Sequence, residues 1–165
     1  VRRNEMDVRM VAGTLRRCPL FERLENNDLG KLAQIVEAHV FDPRDLVFRP
    51  GEVGGSLFIL ALGHIEFFTL IDGRERALAM LGPVASFGEL SLLLPGPRMI
   101  GARAKEEATV YELTHGLLKM LETSDPELAL KLIDALRSTA AKTFAPMRSL
   151  LEQLFIGAVR EATPT

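Results

Sequence analysis

The chain has 165 residues, 47% of them apolar, a net charge of −2 at neutral pH and one cysteine, Cys18. That length and apolar content suffice for one domain with a proper core and exclude two large ones. The interleaved, nearly balanced charge excludes a basic surface for nucleic acid, and a lone cysteine excludes an internal disulfide or a thiolate metal site, so a reducing, cytoplasmic compartment is expected. No apolar run reaches bilayer-spanning length, and Val1-Arg2-Arg3-Asn4-Glu5 is not followed by the apolar core of a signal peptide. A first residue that is Val and not Met reads as the start of a piece cut from a longer protein.

In chain order, residues 5–17 carry a weak helical pattern through Met6, Val8, Met10, Val11 and Leu15. Pro19-Leu20-Phe21 breaks it. Asn27 or Asp28 is then placed to cap a helix whose Leu29, Leu32, Ile35 and Val36 share a face. From 38 to 113 the pattern changes to short apolar or alternating runs at 38–41, 46–48, 57–62, 64–70, 76–81 and 109–113, each bounded by Gly, Pro or Asp. Gly54-Gly55 reads as one of these turns, and Asp72-Gly73 suits a tight hairpin needing positive φ.

Residues 87–104 hold the most informative stretch. Gly88 to Leu94 reads as a short Leu-rich helical turn whose first N–H groups would face an anion, Pro95-Gly96-Pro97 turns the chain, and a strand is expected from Arg98 to Ala104. Glu89 offers acceptors for a ribose hydroxyl, Arg98 a planar fork of donors for a phosphate, and Gly88 a close backbone approach to both. The bland alternative is an ordinary surface ion pair between the two. Ile100 and Gly101 are unusual for a buried strand, where Gly forgoes packing.

From His115 the pattern is helical again. A short helix should end near Ser124, and Asp125 should cap a long one with Pro126 at its first position. Ile133, Leu136, Ala140, Phe144, Met147, Leu151 and Leu154 recur at threes and fours like a coiled-coil seam, to be covered by the barrel or by a twin helix in a second subunit, and Pro146 should bend or end the helix. The expected architecture is mixed α+β, mainly β: a double-layered antiparallel jelly-roll-like barrel flanked by N-terminal helices and a long C-terminal helix. Residues 1–165 form one domain, with helices over 1–37, the barrel over 38–113 and helices over 114–160.

Phe87-Gly88-Glu89-Leu90 followed by Pro97-Arg98 and Arg103-Ala104 resembles the phosphate-binding cassette of cyclic nucleotide-binding domains. Pro19-Leu20-Phe21, Phe48-Arg49-Pro50-Gly51-Glu52 and Ser56-Leu57-Phe58-Ile59-Leu60 extend the likeness over roughly residues 15–155. The resemblance implies a sensor for cyclic AMP or cyclic GMP, as in catabolite activator-like regulators, kinase regulatory subunits and gated channels. It implies ligand contacts from Gly88, Glu89, Leu90, Arg98 and Met99, and, counting from Arg98, a hydroxyl offered to the base by Thr143. Phe144 departs from the serine that follows in the catabolite activator. Met99 departs too, standing where the family usually has Ser, Thr or Ala. The missing hydrogen bond to a charged group is worth about 1.5 to 3 kcal/mol, and the missing threonine argues against cyclic GMP.

Other chemistry is not visible. His39, His64 and His115 lie on separate segments without ligand spacing, so no metal site of clustered His and carboxylates is expected. Ser56, Ser86 and Ser91 lack a nucleophile elbow, so no catalytic residue is assigned and no enzyme or cofactor is expected. The expected ligand is cyclic AMP, with cyclic GMP second. The partner is a homodimer through the C-terminal helix or an effector domain, without nucleic acid or membrane contact by this chain, since no helix-turn-helix follows before the polar tail at 160–165. The alternative is a nucleotide-free barrel serving as a dimerisation or docking module with a degenerate cassette.

Overall fold

The computed structural model describes the backbone of residues 2–3 and 7–162 and the side chains of residues 7–142, 149 and 153. A two-residue strand β1 (Arg2–Arg3) precedes helix α1 (Val8–Arg17), a 3₁₀ turn (Pro19–Phe21) and α2 (Asn26–Ile35). The strands β2 (Glu37–Phe41), β3 (Leu46–Phe48), β4 (Val53–Gly54), β5 (Ser56–Leu62), β6 (Ile65–Ile71), β7 (Arg74–Leu81) and β8 (Ser86–Phe87) follow. Then come α3 (Glu89–Leu93), β9 (Gly96–Pro97), β10 (Gly101–Ala104), β11 (Ala108–Thr114), α4 (His115–Ser124) and α5 (Pro126–Ala162).

The strands form a 5-stranded sheet in the order β1-β2-β11-β5-β8, a 4-stranded sheet in the order β3-β10-β6-β7, and the 2-stranded pair β4-β9. All pairings are antiparallel. This is the expected mixed fold with its antiparallel barrel and flanking helices. Strand β5 shows why the sequence there is a continuous apolar run: successive side chains point to opposite faces. Leu57, Ile59 and Ala61 join the helices in one core, while Phe58 and Leu60 join Phe48, Phe67, Phe87 and Val110 in a second core inside the barrel. Both faces are buried, so the alternation of apolar and polar residues vanishes.

The helices cover the outer face of the 5-stranded sheet. Leu128, Ala129, Leu132 and Leu136 of α5 are buried against Leu20, Phe21 and Leu92, so the first turns of the long helix lie on their own domain. Asp125 accepts from the Leu128 amide at 3.2 Å, the expected cap. At about 1.5 Å per residue, α5 runs some 55 Å, continuing through Pro146 instead of ending there. Thr143, Phe144, Met147, Leu151 and Leu154 have side chains outside the described residues.

Three local expectations are corrected. Helix α2 begins at Asn26, and Asp28 acts from within its first turn, accepting from the Glu25 amide at 3.1 Å instead of standing before the helix. The strand expected from Arg98 starts at Gly101, because the Arg98 backbone bonds to the 49–52 turn instead: its N–H donates to Glu52 O at 2.8 Å and its carbonyl accepts from Gly51 N at 2.7 Å. Gly54 belongs to a strand, paired with Gly96. The Asp72-Gly73 hairpin is as read, with φ of 52° and 72°. Gly101 is explained by its neighbour, since it lies opposite Phe68 and a Cβ there would run into that ring.

Candidate functional site

The site is built on the turn from β8 into α3. Phe87 pairs with Phe58 across the sheet, and Gly88 then takes a left-handed conformation with φ of 86°. Glycine is required there twice over: a side chain would be strained at that φ, and a Cβ would press on the Ser56 carbonyl and stand 3.0 Å from Arg98 Nη1. Glu89 opens α3 and is 4% exposed, with Oε1 accepting from Ser86 Oγ at 2.7 Å. Leu92, one turn on along the same buried side of α3, is fully buried in the helical core.

Arg98 enters from β9. It is 7% exposed, its Cζ lies 4.2 Å from the Phe48 ring centroid and 5.7 Å from that of Phe58, and Nη2 donates to the Ser56 carbonyl at 3.2 Å. Stacking a guanidinium on an aromatic face is attractive, and more so when water is excluded. A Cβ on Gly54 would overlap the guanidinium, so the bare backbone of β4 makes the slot in which Arg98 lies. Nε is buried without a hydrogen-bond partner. Burial pulls the Arg98 pKa down, opposed by the fields of Glu52 and Glu112, but an arginine remains charged in proteins. Among the described residues no carboxylate is within ion-pair distance of it. A buried cation held by a carbonyl and two rings, with donor capacity to spare, is incomplete until an anion meets it.

Gly88, Glu89, Leu90, Arg98 and Met99 surround one cavity of about 210 Å³, floored by Phe48, Phe67 and Phe87 and bordered by Ala140 of α5. Met99 is 58% exposed and stands at the rim with the exposed Leu90 and Leu94; it fills neither the slot of Arg98 nor the core. The ion pair considered between Glu89 and Arg98 is absent among the described residues: each has other partners. Sequence reading missed Phe48 as platform, Gly54 as slot, the Ser56 carbonyl as acceptor and Ser86 as donor. The Gly54-Gly55 pair ahead of a strand is a signal for the slot, though by type alone it suits a turn equally well.

The histidines bear their structural reading: His64 meets Glu106 at 2.5 Å on the surface, and His115 Nδ1 lies 2.7 Å from the Leu92 carbonyl. One grouping is invisible in the spacing of the histidines. The strands do cluster a histidine with two carboxylates, because the β2-β11 register sets Glu37 opposite Glu112 and brings His39 Nε2 within 2.7 Å of Glu112 Oε2. Glu112 also accepts from Ser56 Oγ at 2.5 Å, so part of its bonding capacity is taken up by the protein.

A buried arginine without a carboxylate partner among the described residues, lining one apolar cavity with a glutamate, suits a ligand with an anionic and a hydroxyl-bearing end. The family model for the cyclic nucleotide-binding domain matches residues 38–124, more than half of the chain. The chain belongs to the cyclic nucleotide-binding domain family. It is 29% identical over 130 residues to a CRP-like cAMP-activated global transcriptional regulator of Mycobacterium tuberculosis, covering 78% of this chain and 58% of that protein. Among solved structures it is similar to the N-terminal domain of a transcriptional regulator from Streptomyces coelicolor A3(2), with a TM-score of 0.71, 33% identity, and 81% of this chain and 93% of that one covered. It is also similar to the regulatory domain of Toxoplasma gondii PKA in complex with cAMP, with a TM-score of 0.64, 28% identity, and 70% and 46% covered. The chain thus spans a little over half of the M. tuberculosis regulator. Among the described residues no helix is long and apolar enough to cross a membrane.

Proposed function

We propose that this cyclic nucleotide-binding domain is a cytoplasmic sensor that takes cyclic AMP in preference to cyclic GMP and reports occupancy through α5. The observation that carries the reading is the state of Arg98: buried, charged, stacked on Phe48 and without a carboxylate partner among the described residues. A cyclic phosphate supplies the missing charge as a charge-assisted, bidentate partner, while Glu89 accepts from the ribose 2′-hydroxyl and the apolar rim of Leu90 and Met99 borders the base. The lack of a threonine hydroxyl at position 99 favours adenine over guanine.

The relay follows from packing. Glu89 and Leu92 are neighbours one turn apart on the buried side of α3, the first bordering the cavity and the second in the core shared with Leu132 and Leu136 of α5. A ligand that draws α3 toward the phosphate shifts Leu92 against α5, and only the difference in its affinity for the two positions moves that equilibrium. The chain catalyses nothing in this reading; its partner is a second copy or an effector domain engaged by the far part of α5.

Calorimetric titration of the purified domain with cyclic AMP and with cyclic GMP, up to millimolar ligand, tests this. Saturable binding with cyclic AMP the tighter is expected. Silence with both overturns the reading in favour of a nucleotide-free docking barrel.

A further inference from the structure

Ser86 lies behind the site, on the wall between two cavities. One is the cavity bordered by Glu89; the other, of about 540 Å³, lies between the Pro19–Phe21 turn and α5 and is lined by Ser86 together with Arg23, Lys131 and Asp134. Across the left-handed Gly88, Ser86 Oγ donates to Glu89 Oε1 at 2.7 Å. Among the described residues it is the only side chain hydrogen-bonded to that carboxylate. Ser86 is itself fixed: it pairs with Ile59 of β5, and the preceding Ala85 carbonyl accepts from Leu60 N at 2.8 Å. The thiol of the buried Cys18 also interacts with Ser86, and burial pushes that thiol's pKa up. A donor fixed by its pairing to β5 therefore sets the plane of a carboxylate that is 4% exposed.

We propose that Ser86 is the positioning residue for recognition of the ribose 2′-hydroxyl: by holding Oε1 of Glu89 from behind, it aims the carboxylate's remaining lone pairs into the cavity. This rests on the cyclic nucleotide reading above. Without that bond the Glu89 carboxylate loses its fixed orientation, and a ligand that offers a 2′-hydroxyl loses its aligned acceptor while one lacking it loses nothing. The site's discrimination between the two sugars is thus set by a residue that does not border the ligand cavity.

The test measures binding of cyclic AMP and of 2′-deoxy cyclic AMP to the unaltered chain, Ser86→Ala and Ser86→Thr, with Glu89→Ala alone and combined with Ser86→Ala to close a double-mutant cycle. In Ser86→Ala, cyclic AMP is expected to weaken by about tenfold or more, the loss of an aligned hydrogen bond to a charged group, with 2′-deoxy cyclic AMP unchanged. Ser86→Thr, which keeps the hydroxyl, retains the discrimination, and in the Glu89→Ala background Ser86→Ala has no further effect. Equal weakening of both ligands, or no change in either, overturns the role of Ser86 while leaving the sensor reading intact. Failure of the unaltered chain to bind either nucleotide overturns both. Should Ser86→Ala fail to give a cooperative melting transition, Ser86→Cys, of similar shape and a far weaker donor, takes its place with the same expected ratio.

Discussion

The guanidinium of Arg98 lies 4.2 Å above the Phe48 ring centroid with its Nε buried and unpartnered. A cation so placed costs stability in the absence of an anion and returns it when one binds. The aromatic face, the Ser56 carbonyl and the glycine of β4 keep Arg98 in a single pose, so a ligand need not order it.

Arg98→Met follows directly. Replacing a buried, unpaired charge by an apolar chain of similar length leaves stability unchanged or raises it by about 1 kcal/mol, while removing the phosphate's partner costs about 2 kcal/mol or more, roughly thirtyfold or greater in affinity. Melting curves and calorimetric titration with cyclic AMP separate the two effects. A variant that binds as tightly as the unaltered chain removes Arg98 from the site.

Gly54→Ala and Gly88→Ala should fail differently. The Cβ at Gly54 meets only the tip of the Arg98 side chain, which can swing away, so the expected outcome is at least tenfold weaker binding with a melting temperature nearly unchanged. The Cβ at Gly88 meets the fixed Ser56 carbonyl and needs φ of 86°, so stability should fall by about 1 to 3 kcal/mol. Denaturant titration of both variants reads the contrast.

Met99→Thr restores a hydroxyl at the cavity rim. Because Met99 is 58% exposed, stability should stay within about 0.5 kcal/mol. Affinity for cyclic AMP should rise about tenfold, for a new hydrogen bond to the phosphate, and the gap to cyclic GMP should narrow. Paired titrations with the two nucleotides check it, and an unchanged affinity would place the position 99 side chain clear of the ligand.

Acid should act through Glu66. Its carboxylate is held below the ordinary range chiefly by the hydrogen bond from Arg103 at 2.8 Å, then by Lys105. A depressed folded-state pKa gives stability that is complete above the unfolded value of about 4.3 and is lost as pH falls through the folded one. Melting temperature against pH should drop on the acid side in the unaltered chain and less steeply in Glu66→Gln. Parallel curves would assign the acid transition elsewhere.

Much of this was legible in the chain. The runs now in β2, β5, β6 and β11, the Asp72-Gly73 hairpin and the Asp125-Pro126 start of α5 follow from period and turn chemistry, which are local. What escaped is set by register. Two-residue pairings such as Val53 with Pro97 have no period to detect, and they place Gly54 beneath Arg98. Likewise Glu37, His39 and Glu112 look unrelated until β2 lies beside β11. Of the site, the residues that bear charge were readable by their types, whereas the platform of Phe48, the carbonyl of Ser56 and the hydroxyl of Ser86 were not, because their roles arise from where the chain returns.

Strand β5 is a shared wall between two cores, with Phe58 and Leu60 on one side and Leu57, Ile59 and Ala61 on the other. Interiors packed at crystal-like density do not absorb a displacement by compressing. In the proposed sensor, a pull on the Ser56 carbonyl at the head of this strand is therefore expected to reach both faces together, and with them helices that do not line the cavity.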